Sequence, residues 1–137
     1  MKIKVDIRRA YEKAGKSEGY RVLVDRIWPR GISKDELHFD TWCKDLAPSP
    51  ELRKWFAHKV ENWDRFRKDY QAELRGEDQK ERIRQLVKDA GESHITLLYG
   101  ARDTEHNHAL ILADEISHVA ASMRKSAKSG GEAKKSA

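Results

Sequence analysis

Two short polar segments hold most of the residues in this 137-residue chain whose types and spacing could do chemistry. The first is Asp25-Arg26-Ile27-Trp28-Pro29-Arg30-Gly31. The second is Tyr99-Gly100-Ala101-Arg102-Asp103-Thr104-Glu105-His106-Asn107-His108. Asp25 and Arg26 interrupt an apolar run, and a buried charge is costly unless it is paired. Arg26 therefore reads either as an anion clamp oriented by a carboxylate or, with Asp25, as a structural ion pair that tethers the helical insert. Arg30 comes after Trp28-Pro29 at a rigid turn, where a fork-shaped guanidinium grips phosphate or carboxylate. Trp28 is placed to stack on a planar ligand. The alternative for this pair is a packed indole and a solvent-facing arginine.

In the second segment, Asp103, His106 and Asn107 stand at i, i+3 and i+4, one face of a helix if the helix has begun. His106 then lies above Ala109, Leu110 and Ala113 and points toward the strand ends. Asp103 or Thr104 would cap this helix, whose free N–H groups attract anions. A histidine paired with an aspartate is a general acid or base. The catalytic candidates are thus His106, Asp103 and Tyr99, the last for a hydroxyl at a strand end. The ligand-binding candidates are Asp25, Arg26, Trp28, Arg30 and Asn107. The alternative is a capping network in which His106 only braces the turn.

No metal is expected. Within a helix the rings of His106 and His108 point about 200° apart, and no histidine pair has the i, i+4 zinc spacing. The role of His108 stays open. Cys43, beside Trp42 in a segment read as helical, has no base placed to activate it and reads as a packed thiol. Trp63, Phe66 and Tyr70 read as a core stripe.

These segments must be positioned by strands and helices. Ile3, Val5 and Ile7 alternate with charged residues, a half-buried strand. Arg21–Trp28 carries Val22, Leu23 and Val24 in succession, which suits a strand covered on both faces. Ser33 and Glu36 form a capping-box pattern before a short helical stretch, and Asp40–Ala47 reads as a further helical turn. Ser49-Pro50-Glu51 is a strong helix start. Helices are predicted over Glu61–Arg75 and Gln79–Ala90, closed by Gly76 and Gly91. His94–Tyr99 is the last strand, and a helix spans Thr104 to Met123. The expected fold is α/β: a small, mostly parallel sheet of about three to four strands covered by helices, with a helical insertion between the second and last strands. The first strand is open between parallel and antiparallel. In open α/β sheets ligands bind outside the carboxyl ends of the strands, which is where both polar segments fall.

Net charge is +5. Five basic residues from Arg124 to Ala137, against Glu132 alone, place +4 of it in the tail and leave +1 for the first 123 residues. Residues 1–123 read as one α/β domain and 124–137 as a disordered basic tail. Nucleic-acid binding by the folded body is therefore disfavoured, with weak non-specific contact left to the tail. A single cysteine excludes an intrachain disulfide. With no signal core or membrane-spanning run, the default is a cytoplasmic protein without membrane partners. The glycines match neither a dinucleotide nor a P-loop fingerprint, so no cofactor is expected. Oligomeric state is not readable.

Three separated stretches carry a resemblance: Gly19-Tyr-Arg-Val-Leu-Val-Asp-Arg-Ile-Trp-Pro-Arg-Gly-Ile-Ser-Lys34; Asp45-Leu-Ala-Pro-Ser49 with Leu52-Arg-Lys-Trp-Phe56; and Ile95-Thr-Leu-Leu-Tyr99 through Asp103, His106 and Asn107. Together they resemble the YeaO-like branch of the domain-of-unknown-function 488 family, over about residues 2–118. The resemblance implies a compact α/β fold and assigns no activity. The wider family is enzyme-like, with one strand ending in Asp-x-Arg and a later strand ending in Cys before a Cys-His-Arg turn. Here Tyr99 stands at the cysteine position, so thiol chemistry is absent there. If the site is catalytic, His106, Asp103 and the arginines must carry the work. Three functions stay open: a site binding or processing a small anionic ligand, nucleotide-like or phosphorylated; a nucleic-acid-associated or regulatory protein using its basic tail; or a structural partner-binding module.

Overall fold

An apolar strand needs cover on both faces, and this chain supplies it with helices on one face and an irregular segment on the other. The computed structural model describes residues 3–12, 19–91 and 94–136, with side chains described as far as Met123. Strands β1 (Val5–Arg9), β2 (Tyr20–Leu23), β3 (Thr41–Trp42) and β4 (Ile95–Tyr99) form one sheet in the order β1-β4-β2-β3. Every pairing is parallel. Helices are α1 (Pro50–Phe56), α2 (Trp63–Leu74), α3 (Glu77–Ala90) and α4 (His108–Ser136). The α/β class is the one expected from the sequence, and α1 to α3 lie between the second and last strands. The orientation of the first strand is settled as parallel, because β4 lies between it and β2. Among the described residues no helix is long and apolar enough to cross a membrane.

β4 is central and buried throughout, with Ile95, Leu97 and Leu98 at 0% exposure. Alternate residues face opposite sides. Ile95, Leu97 and Tyr99 join Val22 and Val24 in a core with Phe66, Tyr70, Ile83, Leu112 and Ile116 of the helices. Leu98 and Leu23 face a second cluster with Ala10 and Leu37, flanked by Trp28, Ile32, Phe39 and Trp42. That second cluster draws on no helix, so the expected helical cover of the sheet holds on one face only. The other face is closed by the chain between β2 and β3.

Two local expectations are corrected there. Ser33 and Glu36 do form a reciprocal box: each backbone N–H donates to the other's side chain at 3.1 Å. The box closes a turn, and the chain then goes on to β3. Asp40–Ala47, where the pattern predicts a helical turn, holds β3 and a 3-10 turn at Lys44–Leu46. Asp40 donates its N–H to the Arg21 carbonyl and accepts the Arg21 N–H on its carboxylate, both at 2.8 Å. These bonds satisfy the open edge of β2, and Thr and Trp suit a strand.

Ser49 caps α1 by accepting the Leu52 N–H at 3.2 Å, while its own N–H and hydroxyl donate to Glu73 at 3.0 and 2.6 Å. The tie fixes α1 on α2. Gly76, expected as a helix stop, is the N-cap of α3. α4 begins at His108, four residues later than the Thr104 expected from the pattern, and its backbone continues through the segment expected to be a disordered tail. Side chains from 124 onward lie outside the described residues.

Leu97→Ala should cost about 2–5 kcal/mol, the range for truncating a fully buried leucine. Urea denaturation followed by circular dichroism measures it, and a loss below about 1 kcal/mol would contradict a close-packed β4.

Candidate functional site

Parallel neighbours end at the same edge, and here the ladder hands over from backbone to side chain. Its last rungs at that edge are Val24 N–H to the Leu98 carbonyl at 3.0 Å and Ala10 N–H to the Tyr99 carbonyl at 2.7 Å. Beyond them, the Gly100 N–H donates to Asp25 Oδ2 at 2.9 Å. A Cβ on residue 100 would stand 2.9 Å from that same oxygen and would push the carboxylate aside. The chains diverge past this tie around an open cavity of about 340 Å³. Its polar lining is Asp25, Arg26, Arg30, Arg53, His58 and His108.

Arg26 does not pair with Asp25. Its Nη2 donates to the carbonyls of Ala47 and Pro48, each at 3.3 Å, pinning the entry to α1 against the end of β2. Its Nε is buried without a partner among the described residues. Arg30 is exposed, and its carbonyl accepts the Tyr11 hydroxyl at 2.8 Å. Arg53 comes from α1, and His58 from the turn after it, where Ala57 and His58 take positive φ angles of 47° and 57°. None of the three arginines has an ion pair among the described residues. Trp28 lines the cavity, but its indole donates to the Ile32 carbonyl at 2.6 Å and stands edge-on to Phe39 and Trp42. It braces the loop.

The histidine at the end of β2 is His108. Its Nε2 lies 3.0 Å from the Val24 carbonyl, which can only accept, so this nitrogen carries the proton. The same Nε2 is 3.4 Å from Asp25 Oδ1. Burial pushes the Asp25 carboxyl up, opposed by His108, the Gly100 N–H, Arg53 and His58. Burial likewise pushes His108 down, opposed chiefly by Asp25. Both partners are displaced toward their neutral forms by the same loss of water.

The other expected site residues sit elsewhere. Asp103 Oδ1 accepts the N–H groups of Glu105 and His106 at 2.9 and 3.0 Å, and these bonds, Glu105's first, hold its carboxyl low. His106 Nδ1 reaches Asp103 Oδ2 at 3.1 Å, and its ring stands edge-on to Trp63 with 5.3 Å between centroids. The two are brought together as expected, but neither lines the cavity. Asn107 is 3% exposed: its Oδ1 accepts the Leu110 N–H at 3.2 Å and its Nδ2 donates to the Asp103 carbonyl at 3.0 Å. It caps α4, the role expected of Asp103 or Thr104. Tyr99 is 2% exposed, its hydroxyl pushed up by burial, and it too is absent from the lining. Cys43 is a packed thiol pushed up to about 11 by burial. Arg53 and His58 carry no signal in the sequence, since only the crossover brings them here.

The His108 shift has a sign that can be tested. Its folded value lies below 6.5, so the unfolded chain takes up a proton first as pH falls and stability is lost below about 6.5. His108→Gln should remove part of that loss while keeping a donor to Val24. Urea melts at pH about 7.5 and about 5.5 should show a smaller drop for the variant. Equal drops would contradict a buried neutral His108.

Relatives match this sequence across most of the chain. The family model described as "Inactive DUF488-N3 subclade" matches residues 4–134. The uncharacterized protein YeaO of Escherichia coli (strain K12) is 46% identical over 110 residues, 80% of this chain and 94% of its own. The uncharacterized proteins Mb3100c of Mycobacterium bovis and Rv3073c of Mycobacterium tuberculosis are each 43% identical over 110 residues, 80% of this chain and 91% of theirs. No solved structure matches. The match runs from before β1 into α4 and includes both walls of the cavity, and with it the chain belongs to the DUF488 family as a YeaO-like member.

Proposed function

We propose that this protein binds a small anionic ligand, phosphorylated or nucleotide-like, in the cavity at the carboxyl ends of β2 and β4. One observation carries this reading: Arg26, Arg30 and Arg53 line a single opening with no ion pair among the described residues, against one lining carboxylate, Asp25. Three guanidinium groups against one carboxylate in one concavity favour an anion, and the exposed Arg30 and Arg53 supply donors in a planar fork suited to phosphate. A cavity of about 340 Å³ lies in the range of small-ligand sites.

Binding fits better than turnover. The histidine–aspartate pair that lines this cavity is Asp25–His108, and both members are already bonded to backbone. The matching family model is described as inactive. In this reading the chain works in the cytoplasm as one α/β domain over residues 1–123. The body carries little of the basic excess, so any nucleic-acid contact would be weak and confined to the tail.

Isothermal titration with inorganic phosphate, pyrophosphate and nucleoside monophosphates tests the proposal. At least one should bind saturably. Arg30→Gln and Arg53→Gln, both exposed and so safe for folding, should each weaken it roughly tenfold, the worth of a charge-assisted hydrogen bond. Affinities untouched by both substitutions, or no binding by any of these anions, would overturn it.

A further inference from the structure

The three arginines explain why an anion would enter; they do not explain why the cavity wall also carries a carboxylate. We infer that Asp25 is a specificity-determining residue, selecting phosphomonoesters that carry a hydroxyl or amino donor beside the phosphate and discriminating against bare ones. The inference rests on the anion-binding reading and narrows its ligand class.

Asp25 Oδ1 is fully buried and has no hydrogen-bond partner among the described residues. It faces His108 Nε2 at 3.4 Å, and that nitrogen already donates to the Val24 carbonyl. Oδ2 accepts one bond, from the Gly100 N–H at 2.9 Å. A carboxylate oxygen accepts at two positions, so Oδ2 keeps one acceptor position open. With Oδ1 sealed, Oδ2 is the one carboxylate oxygen that the described lining residues can present to an occupant. The backbone of residue 100 holds it in place, and no side chain at Gly100 intervenes.

A phosphate held by the arginines would share its cavity with this carboxylate. A second anionic oxygen placed against Oδ2 would be repelled, whereas a hydroxyl or ammonium would fill the vacant acceptor position. Sites built to hydrogen-bond a substrate hydroxyl reject analogues lacking it, because their own polar group is left unpaired. Among the charged and titratable lining residues, Arg26, Arg30, Arg53, His58 and His108 are donors or cations, which leaves Asp25 as the one carboxylate that can accept from a hydroxyl or ammonium.

The test compares glycerol 3-phosphate with propyl phosphate, equal in chain length and different in two hydroxyls. Isothermal titration on the full chain at pH about 8, well above the ordinary carboxylate range, should show glycerol 3-phosphate binding about tenfold tighter or more. Asp25→Asn should close that gap to within about threefold, mainly because propyl phosphate gains. Asparagine still offers an oxygen to Gly100, and the wild-type pair alone is decisive should the variant not fold. Equal binding of the two esters by the wild-type protein, or a preference unchanged in Asp25→Asn, would overturn the inference alone. Binding of neither ester, nor of inorganic phosphate, would overturn the anion reading and the inference with it.

Discussion

The hydrogen bond from the Gly100 N–H to the Asp25 carboxylate is the contact on which the site depends. Up to Val24 and Leu98, β2 and β4 are tied by their backbones. One residue later the tie passes to a side chain, which is longer than a backbone rung and lets the strands part. The gap so made is the cavity. Arg26 and Arg30 are carried to its edge because they come after Asp25 in the chain, and His108 because α4 starts directly after the loop from Gly100. Remove the side-chain rung and neither the spacing of the walls nor the orientation of the carboxylate is defined.

Holding that rung in a largely dry place has an electrostatic cost. Asp25 is driven up and His108 down, each by burial, and their mutual attraction offsets only part of it. A hydrophobic pair would be cheaper for stability alone. Backbone strain gathers at the same place: Ala57 and His58, two successive residues with side chains, adopt left-handed angles at the cavity wall. Such geometry costs of order 1–3 kcal/mol per residue and persists where packing over-determines it. Phe56, stacked on Phe66 at 4.2 Å, and the Ser49–Glu73 bonds supply that packing. Uncompensated charge, displaced protonation and strained backbone thus coincide at one opening.

Much of this is legible in the residues, and what is not has a physical reason. Continuous apolar runs mark β2 and β4, and the Ser49-Pro50-Glu51 start marks α1, because burial and capping are local properties. β3 escapes a reading of the sequence because a two-residue strand is defined by its partner: Thr41-Trp42 has no period of its own. The orientation of β1 is undecidable from the residues because it depends on β4, about 90 residues away, lying between it and β2. Asp25, Arg26 and Arg30 reach the opening because they come at the end of a strand. The histidine at the opening differs from the expected one for a single reason. The pattern starts the helix near Thr104, and the helix begins at His108. Asp103 spends its carboxylate on the turn before it, which passes the cap to Asn107 and turns the first helical side chain, His108, toward the sheet.

That four-residue shift also decides what kind of site this is. With His106 and Asp103 at the opening, the chain would have carried a solvent-accessible acid–base pair. With His108 and Asp25 there, each partner has already committed an atom to the backbone: Nε2 to the Val24 carbonyl and Oδ2 to the Gly100 N–H. A general base must take the reacting proton and then give it up in step with the reaction. Groups fixed in this way hold their charge distribution still. A fixed field is poor at moving protons and good at discriminating between ligands of different charge and donor pattern. The features that weaken the case for turnover are therefore the ones that make the cavity selective.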